Sequence, residues 1–119
     1  MSADAPDPEK YVPGVGDIVF LSFDPQRGRK QAGRRPALVL SPRDYNEKTS
    51  LVLCCPIASR AKGYPFEVII QNNPDVTGVV LSDHIKSLDW RSRNAARRGA
   101  VEQDVLDDVR GNVAALIGL

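Results

Sequence analysis

From Phe23 to Pro42 the chain reads FDPQRGRKQAGRRPALVLSP, a cation-rich loop that runs into a short, wholly apolar strand. Arg27, Arg29, Lys30, Arg34 and Arg35 set five positive charges against one carboxylate, Asp24. Gly28 and Gly33 open backbone conformations that bulky residues resist, so the stretch has the make-up of an anion-binding loop. Pro25 and Pro36 restrict φ at its two edges, and the Ala37-Leu38-Val39-Leu40 run behind Pro36 has the composition of a buried strand. This spacing puts the Arg35 guanidinium at a rigid strand entrance.

On either side, short apolar segments alternate with turn chemistry. Strands are expected over Asp17–Phe23, Ala37–Ser41, Ser50–Ile57, Phe66–Ile70, Val79–Leu81 and His84–Trp90. Their lengths and their β-branched and aromatic content suit a small, curled, mostly antiparallel sheet. Arg43 to Lys48 fits one helical turn, and Gln71-Asn72-Asn73-Pro74-Asp75 with Gly78 is turn material. From about Glu102, Val105, Leu106, Val109, Val113, Leu116 and Ile117 recur at three- and four-residue steps, the signature of an amphipathic helix. Gly111 inside it costs roughly 1 kcal/mol relative to Ala. Glu102, Asp104, Asp107 and Asp108 match the positive N-terminal end of the helix dipole.

The 119 residues, 42% hydrophobic and 26% charged, have the size and composition of one domain, assigned to residues 11–119 behind a flexible tail at 1–10. That tail, MSADAPDPEK, carries prolines and carboxylates and no apolar run, unlike a signal peptide. No stretch approaches the ~20 apolar residues of a spanning helix, so a cytoplasmic protein with no membrane partner is expected. The net charge of +1 hides a segregation of signs. Basic residues crowd into 27–35, 60–62 and 91–98, and acidic ones into 4–9 and 102–108. Cys54 and Cys55 are adjacent on an expected strand and point to opposite faces, which disfavours a mutual disulfide and suits core thiols in a reducing compartment.

His84 is the single histidine, which excludes a two-histidine ribonuclease, and it reads as structural. No Cys, His and carboxylate cluster has metal-ligand spacing, and neither a GxxxxGK[ST] loop nor a GxSxG elbow occurs. No cofactor or metal is expected.

Four segments together carry a family resemblance: GDIVFLSFDPQRGRKQAGRRPALVLSP (Gly16 to Pro42), YN (Tyr45-Asn46), KGYPFEV (Lys62 to Val68) and SDHIKSLDWRSR (Ser82 to Arg93). In order and nearly without gaps from about Tyr11 onward, they resemble the MazF/PemK/Kid family of toxin endoribonucleases. The resemblance implies a mainly β fold, a small SH3-like barrel of the PemK/CcdB type with a short helix and a C-terminal amphipathic helix. It implies a homodimeric toxin of a type II toxin-antitoxin system, acting in stress response and silenced by a MazE-like antitoxin with an acidic segment. Its implied activity is metal-independent, sequence-specific cleavage of single-stranded RNA, mainly mRNA, by 2′-OH attack, leaving 2′,3′-cyclic phosphate and 5′-OH ends.

Such cleavage needs a proton acceptor, a proton donor and a stabiliser for charge on the phosphorus oxygens. Arg35 suits the last role, since a guanidinium is a planar, permanently charged, bidentate phosphate partner. The family's threonine falls on Ala58 here, a departure that leaves Ser59 as the candidate hydroxyl. Arg35 and Ser59 are therefore the catalytic candidates, although an arginine before a strand also serves surface ion pairs and a loop serine also caps turns. Lys62 falls on a family lysine and with Arg60 suits the substrate backbone. Arg27, Arg29, Lys30, Gln31, Gly33 and Arg34 supply phosphate or base-edge contacts. Arg91 and Arg93, with Arg97 and Arg98 nearby, flank Trp90 in a basic stretch that can track a single strand, while Trp90 itself also suits the barrel core. Two other readings stay open. One is a non-enzymatic gyrase poison of the same fold; the other is a catalytically weak RNA-binding relative, on account of Ala58.

Overall fold

A computed structural model describes residues 10–23 and 33–119. Of the expected tail, residues 1–9 lie outside the described residues, and so does the middle of the basic loop, 24–32, with Arg27, Arg29, Lys30 and Gln31.

The described chain forms seven strands and two helices. They are β1 (Asp17–Ser22), β2 (Arg34–Val39), α1 (Arg43–Thr49), β3 (Leu51–Ala58), β4 (Glu67–Ile70), β5 (Gly78–Leu81), β6 (Lys86–Asp89), β7 (Ala96–Ala100) and α2 (Gln103–Leu116), with a 3-10 turn over Ser82–His84. All pairings are antiparallel, in the order β4-β5-β3-β2-β1-β7. β3 is the spine. It takes β2 along one edge, and along the other β6 by its first half (Leu51↔Asp89 to Cys54↔Lys86) and β5 by its end (Ile57↔Val80, Ala58↔Val79). Sharing one strand between two successive partners curls the sheet into the barrel-like form that the family resemblance implies.

Strand alternation builds two cores. Ile18, Leu38, Cys55 and Ile57 face Val105, Leu106 and Val109 of α2 together with Val68, Ile70 and Val80. Their sequence neighbours Val19, Leu21, Ala37, Val39 and Cys54 face the barrel interior with Val52, Leu88 and Trp90. A strand covered on both faces is apolar at every position, which is why residues 37–39 show no polar alternation. Cys54 and Cys55 go to opposite cores as expected, and burial pushes each thiol up to about 12.

Several boundaries differ from expectation. β2 begins three residues early, at Arg34, because its register with β1 runs on to Ser22↔Arg34. Pro36 consequently sits inside the strand opposite Phe20, where its missing N–H is tolerated because pairing with β3 starts only at Ala37. Pro56 likewise lies within β3, which continues to Ala58. β7 escapes sequence reading altogether: ARRGA has no apolar alternation, and every residue but Gly99 is exposed on an edge strand. In α2 the apolar face is covered only as far as Val113, and Leu116 (44% exposed) and Ile117 (67%) are left open.

Asn46 joins these layers. Fully buried, its side-chain amide donates to the carbonyls of Pro13 (2.8 Å) and Ser41 (3.0 Å), while its main-chain carbonyl accepts the Trp90 indole N–H (2.8 Å). Asp17 anchors the segment preceding β1, accepting from the Tyr11 hydroxyl (2.7 Å) and the Gly14 amide (3.0 Å). Burial, with that hydrogen bond to Asp17, holds the Tyr11 phenol far above its ordinary pKa.

Candidate nucleic-acid interface

The end of β1, the start of β2 and the end of β3 lie at one edge of the curled sheet. The hairpin carrying the basic loop closes there, where the Phe23 amide donates to the Gly33 carbonyl (2.8 Å). Gly33, at φ +82°, occupies the left-handed region that lets the chain turn into β2 without a Cβ penalty.

Arg35 is the second residue of β2, opposite Leu21, and is exposed. Its alternation matches Ala37 and Val39, so it projects from the barrel-interior face at the open end. Among the described residues its guanidinium has no hydrogen-bond or ion-pair partner. The β2–β3 register runs Val39↔Cys54, Leu38↔Cys55, Ala37↔Pro56. Carried two residues further, it brings Ala58 opposite Arg35. Ala58 is the last residue of β3, and Ser59 follows it as an exposed bend, so the chain leaves strand geometry at the hydroxyl. Gly78 fixes this corner: at φ +139°, an added Cβ would lie 2.4 Å from the Ala58 carbonyl oxygen.

The loop after β3 is tied by one carboxylate. Glu67 accepts from the Lys62 amide (3.0 and 3.1 Å to its two oxygens) and the Gly63 amide (3.0 Å). Using backbone donors leaves the side chains of Arg60, Lys62 and Tyr64 exposed. Tyr64, 65% exposed, is a stacking surface that sequence reading passed over inside KGYPF. Lys86 was missed too; its ammonium lies 5.5 Å from the Phe23 ring centroid, at the base of the basic loop.

Two sequence-selected arginines have a different occupation. Arg34 donates to the carbonyls of Phe20 (3.1 Å), Asn94 (3.2 Å) and Arg93 (3.4 Å) and lies over the Phe20 ring at 5.4 Å. Arg93 donates to the carbonyls of Ser22 (2.9 Å) and Phe23 (2.8 Å). Together they lash the turn between β6 and β7 to the end of β1. Arg91 stacks on Trp90 at 4.3 Å and donates to the Glu47 carbonyl (3.2 Å), and Trp90 is a core residue. Arg97 approaches Asp17 (3.8 Å) and Arg98 covers the other reach of Phe20 (5.1 Å). His84 is exposed beside Asp83 (3.8 Å) and has no place in either core.

Arg35, Ser59, Arg60 and Lys62 thus share one edge of the molecule, whereas Arg34 and Arg93 are structural ties. Among the described residues no three His, Cys, Asp or Glu side chains converge on a metal position. This arrangement can grip a phosphate and stabilise negative charge on it.

Residues 15–117 match the family model described as PemK-like, MazF-like toxin of type II toxin-antitoxin system. The endoribonuclease toxin MazF of Escherichia coli (strain K12) is 45% identical over 109 residues, covering 92% of this chain and 97% of that protein. The crystal structure of MazF (Form-I) from Deinococcus radiodurans superposes with a TM-score of 0.84 at 55% identity, covering 92% of this chain and all (100%) of that one. A MazE-MazF complex (Form-III) from the same organism gives 0.84 at 54% identity, covering 92% and 99%. With a family match across nearly the whole described domain and a fold shared with solved members, this chain belongs to the PemK-like, MazF-like toxins of type II toxin-antitoxin systems.

Proposed function

We propose that this protein is an endoribonuclease toxin that cuts single-stranded RNA by attack of a ribose 2′-OH on the adjacent phosphate. The observation that carries the reading is Arg35, an exposed guanidinium set on a rigid strand with no partner among the described residues, at the edge that also bears Ser59, Arg60 and Lys62. The naming of the similar Escherichia coli protein as an endoribonuclease supports it. Arg35 stabilises the charge that develops on the phosphorus oxygens, Ser59 donates a hydrogen bond to the same phosphate, and Arg60 and Lys62 hold the flanking backbone. Single strands are the substrate because in-line attack requires the sugar and phosphate to leave A-form geometry.

The likeness to MazE-MazF complexes supports an antitoxin partner, and an acidic segment is the complement of this edge. The family resemblance implies a homodimer; Leu116, Ile117 and Leu119 (89% exposed) are apolar surface that one protomer leaves to water.

The test is a digest of long mixed-sequence RNA in excess EDTA with the 5′ ends sequenced. Wild-type protein should leave 5′-OH and cyclic phosphate ends, and Arg35→Ala should cut on the order of 10²–10³-fold more slowly, as for loss of a transition-state donor, while RNA binding falls far less. Activity that disappears on chelation and returns with Mg²⁺ would sink the mechanism.

A further inference from the structure

A cavity of about 550 Å³ opens beside the turn between β6 and β7, on the side facing α1, and Lys10, Tyr11, Glu47, Trp90, Arg91 and Asn94 line it. We propose that this cavity is a subsite for one nucleotide of a single-stranded RNA, with the base stacked on the outer face of the Arg91 guanidinium. The proposal takes its ligand class from the RNA reading above, and places a nucleotide contact outside the edge that carries Arg35.

Arg91 is held ready for that contact. Its guanidinium lies 4.3 Å from the Trp90 ring centroid and donates to the Glu47 carbonyl at 3.2 Å, so one planar face is spent on the indole while the residue remains exposed. A base laid on the remaining face would extend the stack from indole to guanidinium to base, and guanidinium planes are established platforms for unpaired bases. Trp90 itself is 6% exposed and is a backing for the platform, not a contact surface.

The wall is as firm as the platform. Asp89 accepts from the Arg91 and Ser92 amides (3.1 Å each) and the Ser50 hydroxyl (2.9 Å); the Ser92 amide, then the Ser50 hydroxyl, hold its carboxyl below the usual range. Arg34 binds the Arg93 and Asn94 carbonyls from the other side. Asn94 is consequently fixed at φ +56°, a conformation that asparagine tolerates. Its side-chain amide has no hydrogen-bond partner among the described residues and is exposed, so its paired donor and acceptor are available to the edge of a base. Lys10 supplies a cation for the phosphate on the same rim.

Trp90 is the single tryptophan of the chain and lies in the wall of this cavity, so its fluorescence is the signal to follow, with the Arg91→Ala and Asn94→Gly variants separating a response at the cavity from one carried through the core. The probes are AMP, GMP, CMP and UMP, and a mixed-sequence oligodeoxynucleotide, which lacks the 2′-OH and so cannot be cut by 2′-OH attack. Saturable change in Trp90 emission is expected, with binding roughly tenfold weaker in Arg91→Ala, as for loss of one stacked base. Asn94→Gly, which keeps the left-handed backbone while removing the amide, should weaken it too. Both variants should also flatten the base preference at one position flanking the cut when 5′ ends are mapped. If wild-type protein cuts RNA but its emission ignores every probe, or both variants keep wild-type affinity and preference, the subsite is refuted and the cleavage reading survives. Emission that answers to nucleotides in a protein that cuts no RNA refutes the cleavage reading instead. Emission that answers only to an acidic peptide makes the cavity a protein-docking surface and overturns the proposal.

Discussion

Arg34 and Arg35 carry the same charge one residue apart, and strand alternation sends them to different work. Arg34 spends its donors on three carbonyls, while Arg35, one step along, meets no partner among the described residues. The same alternation bears on the Ala58 and Ser59 pair. Ala58 ends β3 two residues beyond Pro56, the last residue in β3 that pairs with β2, so the register carried on would set a hydroxyl at 58 beside the guanidinium; in the proposed mechanism Ser59 reaches the phosphate because the chain bends there. A hydroxyl hydrogen bond to a phosphate contributes about 1–2 kcal/mol, between a neutral and a charge-assisted bond, or about tenfold in rate. Ser59→Ala should therefore slow single-turnover cleavage about tenfold with unchanged melting temperature, and Ala58→Thr should match or exceed wild type. A Ser59→Ala enzyme at full speed, with Ala58→Thr markedly faster, would make Ser59 a bystander. Arg35 and Ser59 could be singled out in the sequence through the resemblance. The occupation of Arg34 and Arg93 was not, because all but one of their partners lie 59 to 71 residues away in the chain, the exception being the Phe20 carbonyl that Arg34 meets across the β1–β2 pair.

Among the elements, α2 shows both what periodicity reveals and where it stops. The three- and four-residue spacing correctly placed Val105, Leu106 and Val109 in the core, but the same pattern at Leu116 and Ile117 meets no sheet. Gly111 lies inside the helix, and a Cβ there would meet nothing within 4 Å. Its exposure makes the propensity cost recoverable: Gly111→Ala should raise unfolding free energy by about 0.4–1 kcal/mol in a denaturant titration, without altering cleavage. A loss of stability would mean that this surface of α2 is covered in the assembled protein. β7 is the opposite case, an element that periodicity could not reveal. Its strand character comes from the unpaired edge of β1 (Asp17↔Ala100 to Phe20↔Ala96), not from its own residues.

Among the described residues, exposed charges of opposite sign lie on different elements. Arg35, Arg60 and Lys62 are exposed at one edge, and Asp104, Asp107 and Asp108 are exposed on α2. A near-neutral protein with a local cationic edge attracts anions there and carries no large overall field. An acidic antitoxin peptide should compete with RNA for the edge, and its affinity should fall as salt rises from about 0.1 M to about 1 M, where the Debye length shrinks from about 10 Å to about 3 Å. A salt titration of peptide binding, with RNA as competitor, checks both points. If peptide and RNA occupy one protomer together, inhibition acts from another surface.

By itself the sequence determined the small β-rich domain, the position of the terminal helix, the opposed cores of Cys54 and Cys55, and the family, since each depends on residue type at local spacing. Tertiary structure alone decided three other things: which arginines tie the chain to itself, where an edge strand forms from ARRGA, and that Trp90, Arg91 and Asn94 together border a cavity. The physical reason is distance along the chain. A hydrogen bond from Arg93 to Phe23, or a strand recruited by the open edge of β1, joins segments about 70 or more residues apart, and no local pattern encodes such a pairing before the sheet has curled.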